Sequence, residues 1–138
     1  MDYEKRYEEA EEYYSRRDYR EALNLFKDLY NDNQTNDCLN YIGCCYLMLE
    51  DFDYAFEVFK RLIKIAPDWE RPVFNLGRVY LQYGRLKEAL ECFNNAVDLN
   101  PYDEDAYFYL GIYYYKIGDY ETSRKYYEKS LGINYSKD

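Results

Sequence analysis

The feature that most constrains this chain of 138 residues is that it overlies itself at a shift of 34. The stretch FNLGRVYLQYGRLKEALECFNNAVDLNP, Phe74 to Pro101, matches FYLGIYYYKIGDYETSRKYYEKSLGINY, Phe108 to Tyr135. A further copy, NYIGCCYLMLEDFDYAFEVFKRLIKIAP, Asn40 to Pro67, stands 34 residues before the first of these. A fourth, YREALNLFKDLY, precedes that one by 33, so one residue is missing from the connection near Asn33 to Asn36. A repeat of this length is one supersecondary unit, with more apolar surface than it can bury alone. It must therefore stack on its neighbours.

Within each copy apolar residues recur at three and four, stop at a short turn and resume, which predicts two helices per copy. In the third copy Val73, Leu76, Gly77, Tyr80 and Leu81 mark the first helix, and Ala89, Leu90, Phe93, Ala96 and Val97 the second. Gly84 and Gly118 end first helices, where a left-handed residue is cheapest for glycine. Asp18, Asp51 and Asp119 are placed to cap second helices, and Glu21 completes an Asp-x-x-Glu capping box. Pro67 and Pro101 close second helices, because proline cannot continue them.

From Tyr3 to about Lys137 the chain resembles the tetratricopeptide repeat (TPR) family. Ala10, Gly43, Gly77 and Gly111 stand at the family's small residue, where two helices cross closely. Ala22, Ala55 and Ala89 stand at its second-helix alanine, with Ser123 in the last copy, and Phe26, Phe59, Phe93 and Tyr127 at its large aromatic. Tyr13, Tyr46, Tyr80 and Tyr114 match its first-helix tyrosine; the later small position reads Leu29, Leu62, Ala96 and Ser130. The resemblance implies an all-α fold, a right-handed superhelical solenoid of antiparallel helix pairs with first helices lining a concave groove. The expected organisation is a single domain over 1–138, with repeats at about 3–35, 36–69, 70–103 and 104–137.

The resemblance also implies which first-helix places touch a ligand. They are Glu4, Tyr7, Glu8, Glu11 and Tyr14 in the first copy, and Asp37, Asn40, Tyr41, Cys44 and Leu47 in the second. The third contributes Arg71, Phe74, Asn75, Arg78 and Gln82, and the fourth Asp105, Phe108, Tyr109, Ile112, Tyr115 and Lys116. A groove so lined is aromatic throughout, acidic at its N-terminal end and basic in the third repeat. Arg71, Phe74, Asn75 and Arg78 share one helical face, and two guanidinium forks beside a ring and an amide can grip a carboxylate and an extended backbone. The competing expectation is that both arginines pair with Asp37, Asp105 or other nearby acids. By register Tyr114 and Tyr120 are structural, Tyr113 points to the neighbouring repeat, and Tyr115 is open to a ligand.

Some members of that family hold a chaperone's C-terminal carboxylate with lysines, asparagines and an arginine. The corresponding places in one register are Tyr7, Glu11, Tyr41, Arg71 and Asn75, and in the other Asn40, Cys44, Asn75, Asp105 and Tyr109. Only Arg71 fits the first and only Asn75 the second, so that ligand is not expected.

Charge and composition narrow the function further. Lysines and arginines number 18 against 27 acids, a net charge of −9, which opposes attraction to a nucleic-acid backbone. No apolar run approaches the roughly 20 residues of a membrane span, and the N-terminus has no hydrophobic signal core, so a cytoplasmic protein is expected. Cys38, Cys44, Cys45 and Cys92 form no CxxC pair and there is no histidine, so no metal or other cofactor is expected, nor a disulfide framework. Without histidine and with no nucleophile beside a recognisable base, an enzyme is disfavoured. The function expected is a protein-interaction scaffold or adaptor that binds a peptide segment, with an acidic residue or terminus of that segment as the contact of Arg71 and Arg78. Its alternatives are self-association through Tyr127, Leu131, Ile133 and Tyr135 of an uncovered last hairpin, giving a homodimer or docking against something larger, and, third, RNA binding.

Overall fold

In the computed structural model, which describes residues 2–132, eight helices follow one another. They are α1 (Tyr3–Ser15), α2 (Tyr19–Asp32), α3 (Asn36–Met48), α4 (Phe52–Ile65), α5 (Glu70–Gln82), α6 (Leu86–Leu99), α7 (Glu104–Lys116) and α8 (Tyr120–Ser130). No strand occurs among the described residues. Odd-numbered helices are the first of each repeat and even-numbered ones the second. The backbone divides into two compact units, 1–67 with α1 to α4 and 68–138 with α5 to α8. Inside each unit every helix packs on the next in sequence.

The helix starts follow from side-chain caps that satisfy orphan backbone donors. Asp2, Thr35 and Asp103 accept from the amides of Lys5, Cys38 and Ala106 at the starts of α1, α3 and α7. Asp18 and Asp119 do the same for α2 and α8, accepting from Glu21 and Thr122. Asp51 departs from expectation: it occupies the cap position of α4 but its side chain makes no cap hydrogen bond. Helices α4 and α6 end at Ile65 and Leu99, just before Pro67 and Pro101.

The pairs close through one recurrent contact. At Gly77 an added Cβ would lie 2.6 Å from Phe93 Cε1, and the same overlap meets Phe59 at Gly43 and Tyr127 at Gly111. The rings of Phe26, Phe59 and Phe93 are fully buried. Ser123 stands where the other copies have alanine, and it is buried too, its hydroxyl donating 2.7 Å to the Gly111 carbonyl. The serine is thus an internal tie between α7 and α8. Ser130, at the later small position, donates to the carbonyl of Tyr127.

Tyr120 corrects the expectation of a packing residue. It is 63% exposed, its ring edge-on to Tyr115 at 5.2 Å. Tyr114 is half-buried and stacks on Tyr126 at 5.5 Å, with Tyr113 edge-on to it at 5.0 Å. All four cysteines are buried, unbridged thiols, and burial pushes the Cys45 pKa up to about 12.

The turn from first to second helix needs a residue with positive φ in every repeat. Gly84 and Gly118 supply it at 75° and 86°, but Arg17 and Glu50 adopt 67° and 66° at the same places. A side chain there carries a steric cost that glycine avoids, partly offset by glycine's greater unfolded-state entropy. Glu50→Gly is expected to stabilise the protein by about 0.5 kcal/mol and Gly84→Ala to destabilise it by about 1 kcal/mol, read as shifts in the urea midpoint.

Candidate functional site

In the first unit, the α1 and α3 faces carry a connected set of rings. Tyr41 stacks on Phe26 with centroids 4.3 Å apart and meets Tyr7 and Tyr14 edge-on at 6.1 and 5.3 Å. Its hydroxyl donates 2.8 Å to Glu11 Oε2. Burial, then that bond and the charge of Glu11, raise its pKa. Beside these rings opens a cleft of about 370 Å³ lined by Tyr3, Glu4, Tyr7, Glu8, Thr35 and Asp37. Asn40 is half-buried and Cys44 is buried, so the Cys44 thiol is a core group and not an open contact.

The second unit repeats the plan with different chemistry. Arg71 Nη1 donates to both oxygens of Asp103 at 3.1 Å, and Nη2 reaches Asp105 Oδ2 at 3.3 Å. Its guanidinium lies over the Phe74 ring, 4.6 Å from the centroid. Asp103 is buried and also caps α7. Around them a hollow of about 300 Å³ is lined by Glu70, Arg71, Asn100, Tyr102, Asp103, Glu104 and Asp105. Arg71 therefore takes its two carboxylates from its own unit, the competing expectation for it. A ligand acid would have to displace them in a locally acidic hollow.

Phe74 and Asn75 were expected to face a ligand, and both are almost wholly buried. Phe74 is enclosed by Phe93 at 6.0 Å, by Tyr109 edge-on at 5.2 Å and by the guanidinium groups of Arg71 and Arg78. Asn75 Oδ1 accepts from Arg78 Nη1 at 3.1 Å, and Arg78 lies 5.4 Å over the ring of Tyr109. Of the exposed rings on α7, Phe108 packs beside Tyr109 and Tyr127, and Tyr115 against Tyr120. Phe108, 45% exposed, and Tyr115, 60% exposed, lie seven apart on α7 and present one aromatic edge, with half-buried Tyr109 beside Phe108. Among the self-association residues, Leu131 is exposed and Tyr127 half-buried against Phe108 and Gly111. Ile133 and Tyr135 lie outside the described residues.

Sequence reading passed over Thr35 and Asp103, because both precede the first helices that carry the other site residues. The available signal was their shared place, cap chemistry two residues before Asp37 and Asp105.

Comparison with known proteins agrees with the helical-repeat fold. Family models described as tetratricopeptide repeat match residues 7–68 and 104–136, and one described as TPR repeat matches 77–118. The chain belongs to the tetratricopeptide-repeat family. Its fold is that of solved TPR solenoids. A thermophilic TPR protein of Thermus thermophilus is 20% identical with a TM-score of 0.88, over 96% of this chain and 75% of that one. MamA from Desulfovibrio magneticus RS-1 is 22% identical with a TM-score of 0.75, over 99% and 78%. A TPR protein from Parabacteroides merdae is 17% identical with a TM-score of 0.69, over 97% of this chain and 54% of the other. No curated protein matches the sequence. No helix of the described residues is long and apolar enough to cross a membrane.

One electrostatic consequence of the TPR hollow around Arg71 is measurable. Burial and, next, the neighbouring Asp103 raise the pKa of Glu70 above the usual carboxylate range. The folded state then holds that proton more tightly than the unfolded chain, so this contribution to stability fades as pH rises through the carboxylate range. Glu70→Gln is expected to raise Tm at pH 7, with the gain shrinking as the pH falls towards about 4, as followed by thermal melts across pH.

Proposed function

We propose that the protein is an interaction scaffold whose four repeats act as one domain and bind an extended peptide segment of a partner along their first helices. The observation that carries this is the pair of exposed rings on α7, Phe108 and Tyr115, each braced by neighbouring rings, Phe108 by Tyr109 and Tyr127 and Tyr115 by Tyr120. Exposed aromatics on a rigid, preorganised base are what a peptide-binding face requires, because little ordering cost remains at binding. Tyr41, Tyr109 and Arg78 flank the same first-helix side of their units, and Asn40 adds an amide able to pair with a peptide bond. Recognition of this kind involves no covalent chemistry.

The test is selection of peptides from a random display library on the full chain, followed by fluorescence anisotropy. Phe108→Ala with Tyr115→Ala is expected to weaken a selected peptide by about tenfold or more, with Tyr54→Ala, an exposed ring on the second helix α4, leaving it unchanged. No enriched peptide, or equal effects of the two changes, overturns the reading.

A second reading, self-association, is favoured by the exposure of Leu131, Ile117 and Tyr120 around the last helix pair. It predicts a dimer in sedimentation equilibrium that Leu131→Glu converts to monomer. A wild type that stays monomeric at high concentration removes it.

A further inference from the structure

The two hollows described above occupy the same register, one in each unit. Counted by repeats, Tyr3, Glu4, Tyr7, Thr35 and Asp37 of the first unit correspond to Glu70, Arg71, Phe74, Asp103 and Asp105 of the second. In the second unit a guanidinium fills the place: Arg71 lies over the Phe74 ring, with Nη1 on Asp103 and both Nη1 and Nη2 on Asp105. In the first unit the walls remain but no cation stands at the place of Arg71; the Arg6 guanidinium lies 5.9 Å over the Tyr3 ring and is paired with Asp32. Tyr7 replaces the ring, Thr35 and Asp37 replace the acceptors, and Glu4 stands where Arg71 would be, with Glu8 where Asn75 would be. Among the described residues none of Glu4, Glu8 and Asp37 joins an ion pair, although all three are near one cleft.

We propose that this cleft receives an arginine side chain from a partner protein, seated on Tyr7 between Asp37 and the Glu4 and Glu8 carboxylates, as Arg71 is seated within the second unit. This rests on the peptide-binding reading and names the chemistry of what is bound at its N-terminal end.

Three features select arginine over other cations. No group of three acid, cysteine or histidine ligands that could hold a metal ion occurs among the described residues, so an organic cation is the candidate. The floor is aromatic, the tilted rings of Tyr3 and Tyr7 having centroids 6.2 Å apart, and a planar guanidinium stacks on such a surface better than an ammonium. The acceptors lie on separate helices, which suits a fork with five donors. Long-range charge points the same way: residues 1–67 carry 15 acids against nine bases. Acids also contribute at the floor, where burial and then Asp37 raise the Tyr7 pKa.

The test uses dye-labelled peptides of Gly-Ser-Arg and of Gly-Ser-Lys repeats, with anisotropy read on the full chain at about 0.15 M salt, where distant charges are screened. The arginine peptide is expected to bind at least about threefold more tightly than the lysine one. Glu4→Arg supplies the guanidinium internally, and is expected to weaken the arginine peptide by about tenfold or more and to raise Tm. Asp28→Arg makes the same charge change on an exposed face of α2 and is expected to shift Kd by less than about threefold. Equal affinity for the two peptides, or equal effects of the two substitutions, overturns the proposal. If display-selected peptides still bind and still need Phe108 and Tyr115, the loss is confined to this cleft. If no peptide binds, both readings fall together.

Discussion

The architecture depends on a helix crossing in which an aromatic ring of the second helix lies against a backbone with no side chain. At Gly43, Gly77 and Gly111 there is no room for even a methyl group, because Phe59, Phe93 and Tyr127 already occupy it. Close approach lets the second and third pairs bury one large ring completely, and a buried phenylalanine is among the largest single apolar contributions a small repeat can make. The first repeat reaches the same end with Ala10 and Phe26, both wholly buried. From that crossing the direction of each first helix follows, and with it the side chains carried on its other faces.

On those faces the two units diverge. The second neutralises its arginine internally, with Asp103 both capping a helix and accepting two hydrogen bonds from Arg71. Such partly buried, multiply bonded pairs fix geometry more surely than they add stability. The first unit keeps its carboxylates apart and lays its tyrosines together, so a single scaffold offers two electrostatic surfaces at equivalent places.

Much of this was legible in the sequence because the period of 34 makes every position visible several times. Helix pairs, the crossing glycines, the left-handed turns at Gly84 and Gly118 and most caps follow from residue type at a repeated place. Site residues were less legible, because register gives direction but not depth. Phe74 and Cys44 stand at the expected first-helix places and are nonetheless buried, Phe74 beneath Tyr109 and the Arg71 and Arg78 guanidinium groups. Tyr120 shows the converse: its counterparts Tyr19, Phe52 and Leu86 are half-buried, and it is exposed. Arg71 was readable both ways, and what decided between them was Asp103, a residue outside the helix that repeat reading follows.

The four sequestered thiols have a practical corollary. Cys38, Cys44 and Cys45 lie in α3 and Cys92 in α6, so each unit holds its own silent sulfhydryl, sealed from alkylating reagents while its helices stay docked. The rate at which such a reagent labels α3 against α6 is therefore a native stopwatch for how often each half breathes open, without any added probe.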